Sequence, residues 1–202
     1  MATYKYILVL GSILLCLVPS PSQGQASSSV PVFEVTPGKS VIKFNVNASV
    51  AIEGVFDKWD ASVTYKSMDV TAGVLDIKIQ ADSVNTGSGM KDGKLKSKDF
   101  FNVKEDPYIT FHSDKVVQTG PMSFEVPGKF TIRGVSKPET LTLTLIGDRK
   151  AGVGEIKGTM AFDRKEFGMN SGIPFIKIAD RVEVTVDLKI KRVSGAPLEF
   201  KQ

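Results

Sequence analysis

From residue 30 onward, apolar side chains recur at every second position rather than every third or fourth. That period argues for half-buried strands and against amphipathic helices. In the stretch 41–47, Ile42, Phe44 and Val46 share one face, and in 75–80 the set is Leu75, Ile77 and Ile79. Leu141, Leu143 and Leu145 alternate with threonines, and Ile156, Met160 and Phe162 share a face with Gly158. The alternation is cleanest near the end, where Val182, Val184, Val186, Leu188 and Ile190 interleave with Glu183, Thr185, Asp187, Lys189 and Lys191. Turn signals separate these runs: Pro37-Gly38, Thr119-Gly120-Pro121, Pro127-Gly128, Gly147-Asp148, and Gly152 with Gly154 around a hairpin. Pro138 is expected to open a connection, because proline cannot donate to a ladder.

The pattern predicts strands near 32–36, 40–50, 61–66, 71–82, 108–118, 122–134, 139–148, 153–164 and 178–193. With no crossover helices between them, they pair antiparallel. A sheet with one apolar face must curl on itself or pack on another, and a closed barrel of about eight strands removes its exposed edges. Residues 87–103 break the alternation. They are lysine-rich, with Met90, Leu95, Phe100 and Phe101 unevenly spaced, and read as a long connection with one or two helical turns. The fold class is therefore all-β, an antiparallel barrel of about eight strands or two packed sheets, with a short helical connection.

Residues 1–26 read as a signal peptide, and 27–202 as the barrel domain. Lys5 supplies the positive start, and Ile7 to Val18 is apolar but short for a membrane span. Pro19 to Gln25 is helix-breaking, and Gly24-Gln25-Ala26 offers small residues for cleavage after Ala26, with Gly24 as the alternative. The expected location is periplasmic or secreted. Cys16, the only cysteine, lies inside the apolar run behind Leu15, a poor context for lipidation. Without it the domain has no thiol and no disulfide framework.

Charge excludes little and suggests little. The net charge is +4, and Lys5 is the only charged residue before Ser27, so the domain carries 25 basic against 22 acidic side chains. The two signs are interleaved, which argues against nucleic acid. His112 is the only histidine, too few for a histidine-based metal site, and the strand alternation turns it toward solvent. No G-x-S-x-G elbow accompanies it. Gly152-Val153-Gly154 lacks the third glycine of a dinucleotide loop, since Lys157 stands there. Asp57 and Asp60 flank Trp59 in a turn-like stretch without acid–base character. Catalytic residues, metal and cofactor are expected to be none. What remains is a long inward-facing apolar list, including most of the twelve phenylalanines. Periodicity alone leaves open whether those side chains fill the barrel or surround a guest.

Several motifs, in order, resemble the YceI-like family of secreted, lipocalin-like barrels. These are Gly54-Val55-Phe56; Lys91-Asp92-Gly93-Lys94-Leu95-Lys96-Ser97-Lys98-Asp99-Phe100-Phe101; Pro107-Tyr108-Ile109-Thr110-Phe111-His112-Ser113; Phe130-Thr131-Ile132-Arg133-Gly134; Arg164-Lys165-Glu166-Phe167-Gly168-Met169; and Asp180-Arg181-Val182. The resemblance spans about 30–193. Departures are Lys39-Ser40, Asn47 or Ser49, and Lys94 where the family often has histidine, and Pro107-Tyr108 in inverted order. The resemblance implies a binding protein rather than an enzyme. Its expected partner is one long-chain apolar small molecule, a polyisoprenoid or isoprenoid-quinone-like lipid, with a fatty acid or fatty amide as the alternative. A solid-core barrel without ligand is the competing reading, and a homodimer is left open. The implied ligand-binding residues are Phe44, Phe56, Leu75, Ile77, Leu95, Phe100, Phe101, Phe111, Phe130, Ile132, Met160, Phe162 and Phe167. Leu95, Phe100 and Phe101 would close the mouth. Asp92, Ser97 and Asp99 would cap helical turns, and Arg133 and Arg164 would pair with carboxylates.

Overall fold

The computed structural model describes residues 30–49, 51–148, 151–172 and 176–201. The expected signal peptide and its cleavage site lie outside them. Twelve strands form one curled antiparallel sheet. They are β1 (Val32–Val35), β2 (Val41–Ala48), β3 (Ile52–Phe56), β4 (Trp59–Tyr65), β5 (Gly73–Gln80) and β6 (Val84–Asn85), then β7 (Tyr108–Ser113), β8 (Val117–Gln118), β9 (Ser123–Ile132), β10 (Val135–Asp148), β11 (Val153–Asp163) and β12 (Ile178–Ser194). The single α-helix among the described residues, α1 (Gly89–Lys96), sits between β6 and β7.

The count exceeds the expected eight because several strands are interrupted. β3 pairs with β2 on one side and with β6 on the other, while β4 pairs with β5. Pairing carries through the corner between them: Asp57 N donates to Ser83 O at 3.1 Å and Gln80 N to Lys58 O at 2.9 Å. β3 and β4 thus act as one bent strand against β5 and β6, which a short 3-10 turn at Ala81–Ser83 separates. β1 and β2 both lie along β12, and β8 extends β7 along β9. Taken this way β1–β2, β3–β4, β5–β6, β7–β8, β9, β10, β11 and β12 make eight staves of a barrel.

Four sequence expectations need correction. Ile52–Phe56, read as no strand, is β3, and Trp59 and Asp60 open β4 rather than sitting in a turn. Pro138 does not open a connection; it lies within β10 opposite Lys129. β11 joins β10 only from Thr142, so Pro138 stands where the strand has one neighbour and costs no ladder bond. Pro127-Gly128 is likewise inside β9. Gly128 is needed there because β7 crosses closely: a Cβ would lie 2.4 Å from His112 O.

The inward rows form the core. Along β12, Val182, Val186 and Leu188 are buried while Glu183 and Thr185 face solvent. Phe124, Val126, Phe130 and Ile132 do the same along β9. Ser113 is the one fully buried hydroxyl in this set, and its Oγ accepts from Leu75 N at 2.8 Å.

Candidate functional site

The barrel has two unlike ends. At one, here the lid end, α1 lies against β6, and Phe101 in the turns that follow meets Phe44 of β2 and Phe56 of β3. Ser97 closes the helix, donating through Oγ to Lys94 O at 2.7 Å, as a capping residue should. Asp92 and Asp99 do other work. Asp92 accepts from Thr86 N and Oγ1 at 2.8 and 2.7 Å and so pins the loop before the helix. Asp99 pairs with Lys94 Nζ at 2.7 Å, and that hydrogen bond holds its carboxyl below the ordinary range. Together these contacts aim Leu95, Phe100 and Phe101 into the barrel, where all are buried.

Beneath this lid is an apolar cavity of about 70 Å³. Eight of the expected ligand-binding residues line it: Phe44, Phe56, Leu95, Phe100, Phe101, Phe130, Ile132 and Phe162. Phe44, Phe56 and Phe101 form one ring cluster, with Phe101 edge-on to Phe44 at 6.5 Å between centroids. A smaller void of about 20 Å³ lies deeper, bordered by Ile77, Phe111, Phe130 and Met160. Leu75 and Phe167 are buried but border neither void; Phe167 instead packs its edge against Phe130 and Phe162 at 5.4 and 5.2 Å. The inward rows therefore do not surround a clear channel along the whole barrel. Around and between the two voids the side chains meet. An open cleft of about 660 Å³ with mixed lining lies beside Trp59, Lys78 and Tyr108, and Phe56 borders both spaces.

The sequence reading missed several lining residues. Ile42, Val46, Ile79, Ile109, Val182 and Val184 share the inward rows, so the same period could have found them, while Ile52 lies on β3, which is too short to show it. Met169 and Arg164 come from the loop side of the mouth, where no period applies, and Ile178 opens β12 beyond a register shift. Arg164 is buried and charged, yet it contributes to an otherwise hydrocarbon wall. Its guanidinium is turned away into backbone: Nε donates to Ala179 O at 3.2 Å, and Nη1 to Met169 O and to Ser171 O at 3.0 Å. Nη2 lies 3.1 Å from Asp180, as the expected carboxylate pairing requires. Asp180 is also held by Lys165 at 2.7 Å, and chiefly for that reason its carboxyl titrates below the ordinary range. Arg133 departs from expectation, since it donates to Gly168 O at 2.7 Å.

His112 is on the outer face, 2.6 Å from Asp76. Its neighbour Ser113 points the opposite way into the core, as alternation demands, so the two cannot act together. Among the described residues, no group of three or more His, Cys, Asp or Glu side chains is placed to hold a metal ion.

Residues 33–190 match the YceI-like domain family. A protein of Pseudomonas syringae pv. syringae, described as a UPF0312 protein, is 27% identical over 179 residues, covering 86% of this chain and 90% of its own. Burkholderia cenocepacia BcnA superposes with a TM-score of 0.70 at 25% identity, covering 77% of this chain and 99% of that one. A polyisoprenoid binding domain from Saccharophagus degradans, implicated in plant cell wall breakdown, gives 0.61 at 15% identity and covers 80% and 99%. At that identity the likeness is one of fold.

Proposed function

The chain belongs to the YceI-like domain family, and on that premise we propose that it is a binding protein that takes one long-chain apolar lipid into the lid end of its barrel. Polyisoprenoid or isoprenoid-quinone-like chains suit it best, with fatty acids or fatty amides as the alternative, and its place of work is the periplasm or the exterior. The observation that carries this reading is the hydrocarbon wall of the lid-end cavity, closed by side chains of one short helical connection. Each methylene taken out of water contributes about 0.8 kcal/mol, so such a wall selects for chain length without polar contacts. The Saccharophagus neighbour, alike in fold, is described as a polyisoprenoid binding domain.

A chain cannot enter the cavity as it stands. An engineered apolar cavity of about 150 Å³ takes up benzene, and this one is about half that. Entry therefore requires the lid to lift and the Phe44, Phe56 and Phe101 rings to turn aside. The lid suits that movement: Lys91 Nζ to Ala51 O, at 3.3 Å, is a weak exposed tie from α1 to the barrel. The competing reading, a solid-core barrel whose function sits on its outer loops, draws its support from the same small volume. Mass spectrometry of an organic extract of the protein purified from its host separates them. The binding reading expects an apolar molecule in molar proportion to protein, and a blank from folded native material would remove it.

A further inference from the structure

The lid-end cavity has nowhere to put a polar head. Arg164 is the one polar side chain in its wall, and its donors are taken by backbone carbonyls and Asp180. A hydroxyl or amide buried there without a partner would weaken binding. The neighbouring cleft is different, and it lies where the barrel wall is open. The β2–β3 ladder ends at Lys43 opposite Val55. Further along the same seam, side chains close it, with the Phe33 and Tyr65 rings 5.9 Å apart. Between these points, among the described residues, no backbone hydrogen bond joins 36–42 to 57–65. The cleft occupies that interval, between Pro37, Ser40 and Val41 on one side and Asp57, Lys58 and Trp59 on the other. Phe56 lines the cleft and the lid-end cavity alike, so its ring stands between them. Its neighbours on the cavity side are Phe44 at 5.6 Å and Phe101 at 5.9 Å, the same rings that must turn aside for a chain to enter.

The chemistry of the cleft selects the head. Lys58 and Lys78 are matched there by Asp57 and Asp60, so it offers no net field to an anion. Asp57 already accepts from Asn85 Nδ2 at 3.0 Å. Asp60 and Lys78 stand directly opposite each other on β4 and β5, which puts their Cβ atoms ~5 Å apart. Lys78 Nζ rests over the Tyr108 ring, 4.0 Å from its centroid. An acceptor and a donor at that spacing fit a head that both donates and accepts. Resting on the reading that the barrel takes up a long-chain lipid, we propose that this cleft is the head-group site. The tail lies in the lid-end cavity, the chain passes the turned Phe56 ring, and an uncharged hydroxyl or primary-amide head sits in the seam, donating to Asp60 and accepting from Lys78.

Trp59 is the only tryptophan, and it packs on the core while bordering the cleft, so the unsubstituted chain reports on its own seam. The probes are two stearamides, one brominated beside the amide carbonyl and the other at the terminal methyl. Native mass spectrometry reads the adduct, and quenching of Trp59 emission by bromine reads its orientation. Each probe should give a single adduct, and the head-labelled amide should quench severalfold more than the tail-labelled one. Lys78→Ala, at an exposed position, should weaken the adduct roughly three- to tenfold, as loss of one exposed hydrogen bond does. Adducts with equal quenching, with stronger quenching by the tail label, or with none would overturn the head assignment and leave the carrier reading standing. An affinity unchanged by Lys78→Ala would do the same. No adduct from either amide would also overturn it, and a polyprenol tested alongside shows whether the carrier reading falls with it.

Discussion

Replacing Arg164 by methionine, which matches its length without its charge, should destabilise the barrel by about 3 kcal/mol. Three backbone carbonyls, Met169, Ser171 and Ala179, lose a charged donor. A hydrogen bond to a charged group contributes about 1.5–3 kcal/mol, which would give a larger sum if all three counted fully. They do not. Ser171 and Ala179 are only partly buried and can bond water instead, whereas Met169 is 3% exposed. Asp180 keeps Lys165 and is itself open to solvent, so its lost partner adds little. Relief from burying a guanidinium offsets part of the remainder, though removing one partner alone leaves the other groups unpaired. For a domain of this size, about 3 kcal/mol lowers Tm by roughly 6–12 °C. Urea unfolding of parent and variant at equal m gives the difference. Lysine should not rescue it, because one ammonium cannot span three carbonyls in a fixed fork. A loss under about 1 kcal/mol would refute the idea that this guanidinium ties the loops of the mouth together.

Gly128→Ala would place a methyl 2.4 Å from His112 O and 2.9 Å from Ser113 Cα, backbone atoms that cannot yield locally; a loss of roughly 1–3 kcal/mol is expected, and an unchanged melting temperature would contradict the close β7–β9 crossing. Phe167→Ala removes a ring with no exposed surface that packs on Phe130 and Phe162, for about 3–5 kcal/mol. The enlarged space should then take up benzene, visible as a rise in Tm with added benzene; a small loss with no such rise would show that the core refills. Asp99 and Asp180 titrate below the ordinary carboxylate value of 3.8, chiefly through hydrogen bonds from Lys94 and Lys165. A carboxyl depressed in the folded state stabilises above its unfolded pKa and loses that contribution as pH falls through the folded one. Stability should therefore decline below about pH 4, and less steeply in an Asp99→Asn, Asp180→Asn double variant; parallel pH profiles would contradict the assignment.

Much of the barrel was legible because alternation is a local signal. Strands such as β2, β11 and β12 repeat it over enough residues to be read directly. β3 was not legible: Ile-Glu-Gly-Val-Phe is short, and its Gly54 is dictated by the Phe44 ring and Asn85 O, each within 2.9 Å of where a Cβ would stand. The two misplaced prolines share one cause. Pro127 and Pro138 look like breakers until the neighbours of each strand are known, and that is a property of the whole sheet. In the candidate site, Ile42, Ile79 and Val182 line the cavity from the same rows as the phenylalanines, and alternation alone does not rank one inward side chain above another. Arg164 reads from sequence as a partner for a carboxylate, but the carbonyls that hold it, of Met169, Ser171 and Ala179, are brought together only by the closure of the mouth. The degree to which rings fill the interior is likewise beyond any period, since it depends on how facing rows interlock.

Native mass spectrometry of the delipidated, folded barrel mixed with a long-chain polyprenol tests the central claim most directly. The account predicts a single adduct, one chain per barrel, that disappears when Phe101→Asp puts a charge at the mouth. Folded protein that carries no adduct at any polyprenol concentration, or that gains several chains which Phe101→Asp does not dislodge, would contradict it.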